Sequence, residues 1–532
     1  MRVESSGSQT RFTRRRLLVV AGSATAVAGI GGGYGLSRLL GDGGGDGAAV
    51  LPAPTLTLRA RADEVELGRR RAATWTYGEL PGRELRLRAG EPVRIRVVND
   101  LPEPTTIHWH GIRLANAADG VPGMTQEPIA PGDSFDYVFT PPDPGTFIYH
   151  SHVGTQLDRG LYGALIVEPR REELDYDAEA VLLFDDWLDG IAGTPDGKLA
   201  ELREQMAMGG GMGGMNMGGG GMGGMGSGGG MGRGSGMGMG AGFRHTGLDG
   251  RAPSGDHLAA LANALDAGRW DAGDVRHPVY LVNGRPPEAP AAVRVRKGER
   301  VRLRLINPSS DAIFCVFVEG HPLTVVRADG GPVEPVETDA VMLGMGERYD
   351  VLIDVRESGY ARVVGTPLGK RGRAVALLRT GDAAGAPPRS GAPLMLPRRI
   401  ASYADLRDAD GVPPTGGART IPLDLGMRHG RYEWTIGGQA FPKADPIRVP
   451  RGERIRFVMR NRTTMPHPMH LHGHDVRAVL GAGLGARKDT ILVAPRRELA
   501  VEWLADNPGA WAFHCHNAYH AAAGMMRRVD VD

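Results

Sequence analysis

Three stretches of the chain share one pattern: Gly90-Glu91-Pro92-Val93-Arg94-Ile95-Arg96 running on to Asn99, Gly298-Glu299-Arg300-Val301-Arg302-Leu303-Arg304 running on to Asn307, and Gly452-Glu453-Arg454-Ile455-Arg456-Phe457 running on to Asn461. The interval from Gly to Asn is the same each time. A Gly turn followed by alternating apolar and charged residues, biased to β-branched types, is what a half-exposed strand requires. Self-similarity at a fixed spacing marks a duplicated structural unit. Short strands between Pro and Gly turns recur throughout, and no long amphipathic helix stands out. The pattern therefore predicts an all-β chain built as three sandwich units. The expected divisions are a leader and linker over 1–50, a first unit over 51–170, a middle unit over 171–394 and a third over 395–532.

The length of 532 residues agrees, since it exceeds what one hydrophobic core sustains. The net charge of +2 excludes a strongly basic nucleic-acid binder, and six arginines against one glutamate in residues 1–40 leave the rest of the chain at −3. Those arginines include Arg14-Arg15-Arg16, followed by an apolar run to about Ile30. That order of charged then hydrophobic residues reads as an export leader and resembles a twin-arginine signal. The run is short and glycine-broken for a membrane span, which needs ~20 apolar residues. The expected location is outside the cytoplasm: periplasm, envelope or medium. Only two cysteines occur, Cys315 and Cys515, so at most one disulfide could form.

Nine positions past each repeated Asn stand His108, Val316 and His470. The first and third units carry His-x-His there, as His108-Trp109-His110 and His470-Leu471-His472. A second echo closes each of these units: Pro144-Gly145 leads to His150-Ser151-His152, and Pro508-Gly509 leads to His514-Cys515-His516. On a strand, residues i and i+2 share a face, so each pair presents two neighbouring ring nitrogens in one direction. Imidazole suits copper, zinc, iron and nickel alike. Cys515 narrows the choice, because it faces the opposite side of its strand, towards His520, Met525 and His467. Two histidines, a thiolate and a weak axial methionine form the ligand set of a blue copper site. A single histidine is more often a plain core or surface residue, but ten of sixteen in repeat-related positions are not coincidence.

His467-Pro468-Met469-His470-Leu471-His472-Gly473-His474 and His514-Cys515-His516 with His520 and Met525 resemble the two C-terminal signatures of multicopper oxidases. His108-Trp109-His110-Gly111 and His150-Ser151-His152 resemble the two N-terminal ones. The resemblance covers the mature chain as a three-domain enzyme of the laccase and copper-efflux oxidase type. It implies three cupredoxin-like Greek-key β-sandwich domains, with the middle one a spacer without copper ligands. It implies four copper ions: type 1 at His467, Cys515, His520 and Met525; type 2 at His108 and His470; and a type 3 pair at His110, His150, His152, His472, His514 and His516. Electrons from a reductant would reach Cys515 and pass through its peptide to dioxygen at the cluster. Asp119, in an Asp-Gly turn, matches an acidic position that such enzymes use for protons. Where many relatives carry a glutamate after the last type 1 histidine, this chain has Ala521.

Glycine interrupted by Met206, Met208, Met212, Met215, Met217, Met222, Met225, Met231, Met237 and Met239 fills an insert at about 205–242. Such composition cannot bury enough surface to fold alone. Thioethers are soft ligands selective for Cu(I), so the insert is a candidate for Cu(I) capture, against the plainer reading of a flexible linker. The expected function is oxidation of Cu(I), with Fe(II) and phenols as further reductants, in copper tolerance by a monomer. A general laccase acting on phenols or aromatic amines is the second reading. A non-catalytic copper-binding scaffold is the third, and it is disfavoured because every ligand position is filled.

Overall fold

The structure, a computed structural model, describes residues 56–208, 261–262, 268–381, 387–389, 391–411, 417–481 and 483–532. The twin-arginine stretch and the insert methionines from Met212 to Met239 lie outside the described residues. No described helix is long and apolar enough to cross a membrane.

The described residues form six sheets, two in each third of the chain. The three repeated stretches become equivalent strands, Val93–Asp100, Arg300–Ile306 and Arg454–Asn461. Each lies parallel to an earlier strand of its own unit and antiparallel to a later one. The repeated Asn is explained by its bonds. Asn99 Nδ2 donates to the carbonyls of Glu103 and Ile129, Asn307 Nδ2 to those of Ala312 and Leu343, and Asn461 Nδ2 to those of Met465 and Val493. In each case the side-chain oxygen accepts from the backbone two residues on, so a buried amide braces the crossing towards the second sheet.

The outer repeats alternate in burial as expected, but the middle one does not. Arg302 and Arg304, expected on a solvated face, are both 2% exposed. The first unit covers that face, and the two guanidinium groups are paired there. Arg302 bonds Asp350 and Glu172, while Arg304 bonds Glu179 and the Thr146 hydroxyl. A buried cation without such partners would be strongly destabilising. Alternation was read correctly as a strand, but the docking of a neighbouring unit is invisible to it. The middle sheet also takes in Ile400–Ala401, parallel to Ala340–Leu343, so its pairing extends past residue 394.

Candidate metal centre

The ligand-bearing strands of the first and third units are built alike. His108–His110 pairs antiparallel with Gly145–His150, placing His108 opposite His150. His467–Leu471 pairs with Gly509–Cys515, placing His470 opposite His514 and Met469 opposite Cys515. Trp109 and Trp511, both fully buried, pack behind these strands.

The two units face each other so that their histidines interleave. His110 and His150 of the first unit meet His516 of the third, while His152 of the first meets His472 and His514 of the third. His108 and His470 complete the cluster with their Nε2 atoms 3.5 Å apart. A separate group gathers on the other side of the Gly509–Cys515 strand: Cys515 Sγ lies 3.7 Å from His467 Nδ1 and 3.5 Å from His520 Nδ1, and those two nitrogens are 3.2 Å apart. Met525 is fully buried beside it, its carbonyl accepting from the Cys515 amide. Each predicted histidine, with Cys515, therefore falls in one of these two groups.

The outer nitrogens decide what the inner ones can do. His108 Nδ1 and His470 Nδ1 donate to the carbonyls of Asp119 and Asp489 at 2.9 Å. His150 Nδ1 and His514 Nδ1 donate to the carbonyls of Ser151 and Cys515. His472 Nδ1 donates to the Asp119 carboxylate at 3.0 Å, and His110 Nε2 to the Asp489 carboxylate at 3.0 Å. His520 Nε2 is bonded to Asp274 at 3.0 Å. His467 Nε2 donates to Thr463 Oγ1 at 2.8 Å, since that hydroxyl gives its own proton to an oxygen acceptor. With its proton committed outward, each of these rings turns a bare lone pair inward.

Lone pairs facing each other at 3 to 3.5 Å repel unless a cation lies between them, so the donor set fits metal. His150 Nε2 and His152 Nε2, buried in the cluster, have no hydrogen-bond partner at all. Burial holds His110, His152, His467, His470, His472 and His516 well below the ordinary histidine range, with neighbouring imidazoles adding to the effect. His150 falls to about 3 and His514 to about 4 for the same first reason. These rings are neutral at pH 7, the state that binds metal. Burial pushes the Cys515 thiol well up, so a thiolate forms there only with positive charge beside it.

Profiles of multicopper oxidase domains match residues 60–172, 259–383 and 418–532. The chain belongs to the multicopper oxidase family. A multicopper oxidase of Mycobacterium tuberculosis is 35% identical, over 98% of this chain and 97% of its own length. A copper resistance protein A of Escherichia coli is 28% identical, over 87% of this chain and 90% of its own. The crystal structure of a multicopper oxidase from Pseudomonas thermotolerans, 26% identical, superposes with a TM-score of 0.61 over 90% of this chain and all of that one. As a multicopper oxidase, the protein binds copper, oxidises its substrate with dioxygen as acceptor, and is built of cupredoxin-like sandwiches.

Several residues around the multicopper oxidase site carried no signal in the sequence. Asp489, Arg348, Asp274 and Thr463 lie outside the repeated motifs, and only the fold brings them to the histidines. Trp434 is another, its ring packed against His520 at a tilt of 32° with centroids 3.9 Å apart. Asp119 was anticipated: besides bonding His472, its carboxylate comes within 3.3 Å of His108 Nδ1.

Proposed function

We propose that the Cys515 group, His467, Cys515, His520 and Met525, is a type 1 copper site and that the eight-histidine group holds three further coppers. In this reading His108 and His470 share the type 2 ion, His110, His150 and His516 hold one type 3 ion, and His152, His472 and His514 hold the other. The observation that carries it is the convergence of bare imidazole nitrogens on two places joined by one tripeptide, His514-Cys515-His516. Copper bound there would supply one-electron acceptance at the Cys515 group and four-electron reduction of dioxygen to water at the other.

The residues themselves define the route. His520 turns one ring edge to Asp274 and one face to Trp434, and this is the side on which we infer that a reductant gives up its electron. The peptide from Cys515 to His514 and His516 replaces a through-space jump with covalent bonds. Asp119 holds His472 and stands beside His108, where its carboxylate can receive a proton and hand it inward.

The reductant we infer is Cu(I), with Fe(II) and phenols also accepted, in copper tolerance after twin-arginine export to the periplasm or envelope as a monomer. The methionine-rich composition of 206–239 supports Cu(I) capture, and so does the attachment of its described flanks. Upstream, Arg203 donates to the Ala522 carbonyl, two residues past His520. Downstream, Asp271 bonds Thr464, three residues before His467. Met206 is half-buried against the core and Met208 is 83% exposed. A general laccase is the second reading.

The test is the visible and EPR spectrum of the copper-loaded protein, with copper counted per chain and oxygen uptake followed on Cu(I) and on a phenol. A blue thiolate band, four coppers and uptake are expected, and a colourless protein sinks the reading. Deleting 205–240 should lower Cu(I) oxidation and spare the phenol; Cu(I) oxidation unchanged by the deletion would favour the laccase reading.

A further inference from the structure

We propose that Arg348, from the middle unit, is a positioning residue for the histidine cluster and acts through Asp489 on His110. The inference rests on the reading above that this cluster holds copper. Arg348 is fully buried, and its two terminal nitrogens donate to the two oxygens of Asp489 at 2.7 and 2.6 Å. Asp489 Oδ1 accepts in turn from His110 Nε2 at 3.0 Å.

The duplicated site provides its own comparison. Asp119 stands to His472 and His108 as Asp489 stands to His110 and His470. Among the described residues, no arginine or lysine pairs with Asp119, whereas Asp489 is clamped by Arg348. The two rings also differ. His472 turns Nε2 inward, to 3.0 Å from His514 Nε2, while His110 turns Nδ1 inward, to 3.2 Å from His516 Nε2. Nδ1 lies closer to the backbone than Nε2, so this ring reaches less far and its tilt must be fixed from outside. A carboxylate locked at both oxygens by a planar guanidinium does that, and a lysine, offering one point charge, would not.

Two glycines show how closely the middle unit is applied. A Cβ on Gly346, at φ +85°, would lie 2.9 Å from carbons of both His110 and His516. A Cβ on Gly111 would lie 2.5 Å from Arg348 Nη2 and 2.6 Å from Asp489 Oδ2. Arg348 is itself fixed from two sides, by the Thr146 carbonyl of the first unit and the Gly346 carbonyl of its own. The unit expected to be a spacer thus forms one wall of the cluster.

The experiment compares parent, Arg348→Lys, Arg348→Gln and Arg348→Gln/Asp489→Asn as copper-loaded full chains, reading copper per chain, the blue band, the EPR signal of the cluster and oxygen uptake. The parent is measured first: a parent without a blue band or uptake refutes the copper reading, independently of the variants. The blue band should persist in every variant. Cluster copper affinity or oxygen turnover should fall roughly 10- to 100-fold in Arg348→Gln, with a changed EPR signal and a smaller loss in Arg348→Lys. The double variant should lose little beyond Arg348→Gln, because the pair acts as a unit. Unchanged copper retention and EPR with turnover within about twofold of parent would overturn the proposal. Loss of the blue band together with the cluster in both single variants would also overturn it, since that is a general folding role.

Discussion

His472 Nε2 and His514 Nε2 stand 3.0 Å apart, and neither has a proton to offer the other. The His472 proton is held on Nδ1 by Asp119, and the His514 proton on Nδ1 by the Cys515 carbonyl. Two lone pairs in that position raise the energy of the metal-free fold. A cation between them turns the same contact into an attraction, so stability and metal content are linked.

Copper loading should therefore raise the thermal midpoint strongly. Binding confined to the folded state adds about 2.7 kcal/mol at a free ion concentration 100 times Kd. Calorimetry of the copper-free protein before and after reloading measures it, and a midpoint indifferent to copper would refute the donor-set reading.

Cys515→Ser should remove the blue band and reduce phenol oxidation to the background of the copper-free chain, while the histidine cluster keeps its copper. Met525→Leu should keep the blue band and alter the oxidation rate about tenfold or less, since an axial thioether tunes the potential rather than forming the site. Spectra with copper counts separate the two variants. A Cys515→Ser chain that still oxidises phenols would show that electrons take another route.

Asp119→Asn keeps the hydrogen-bonding shape but cannot carry a proton. Oxygen uptake should fall by roughly 10²- to 10⁴-fold, the usual worth of a placed acid, with the visible spectrum unchanged. Full activity in this variant would remove Asp119 from the mechanism.

A buried junction of the three units should contribute stability that is lost as pH rises, opposite in sign to the contribution of the cluster histidines held below their ordinary range. Burial lifts Asp158 from 3.8 to about 6, and His277, between Asp158 and Asp186, is raised despite its own burial because those two carboxylates favour its cation. Tyr519, next to His520, is bonded to Asp158. Both shifts mean that the folded chain holds more protons than the unfolded one. The Asp158 contribution is complete below 3.8 and lost as pH rises through about 6, and that of His277 is lost above the ordinary histidine value. Thermal midpoints of parent and His277→Gln across this range test it: the cluster histidines act alike in both chains, so the advantage of the parent over the variant should shrink as pH rises, and parallel curves would refute the assignment.

The features legible in the sequence are those set by local geometry. Alternation with period two fixed the strands, and the spacing from Gly to Asn marked three copies of one unit. The recurrence of His-x-His singled out histidines that the fold brings together, because side chains two apart on a strand share a face. Asp119 could be found only through the family resemblance of its Asp-Gly turn; that its carbonyl holds the His108 ring is visible only in the fold.

What only the tertiary structure decided depends on docking between units far apart in the chain. The sequence grouped six histidines together; the fold divides them into His110, His150 and His516 against His152, His472 and His514, because each triad takes members from both units. The sequence set Arg302 and Arg304 on an exposed face; the first unit buries them among carboxylates. Arg348 and Asp489, 141 residues apart, carry no periodic or motif signal and meet only when the middle and third units pack together. Periodicity is a property of neighbouring residues, whereas the partner of a buried charge is whatever surface the rest of the chain brings to it.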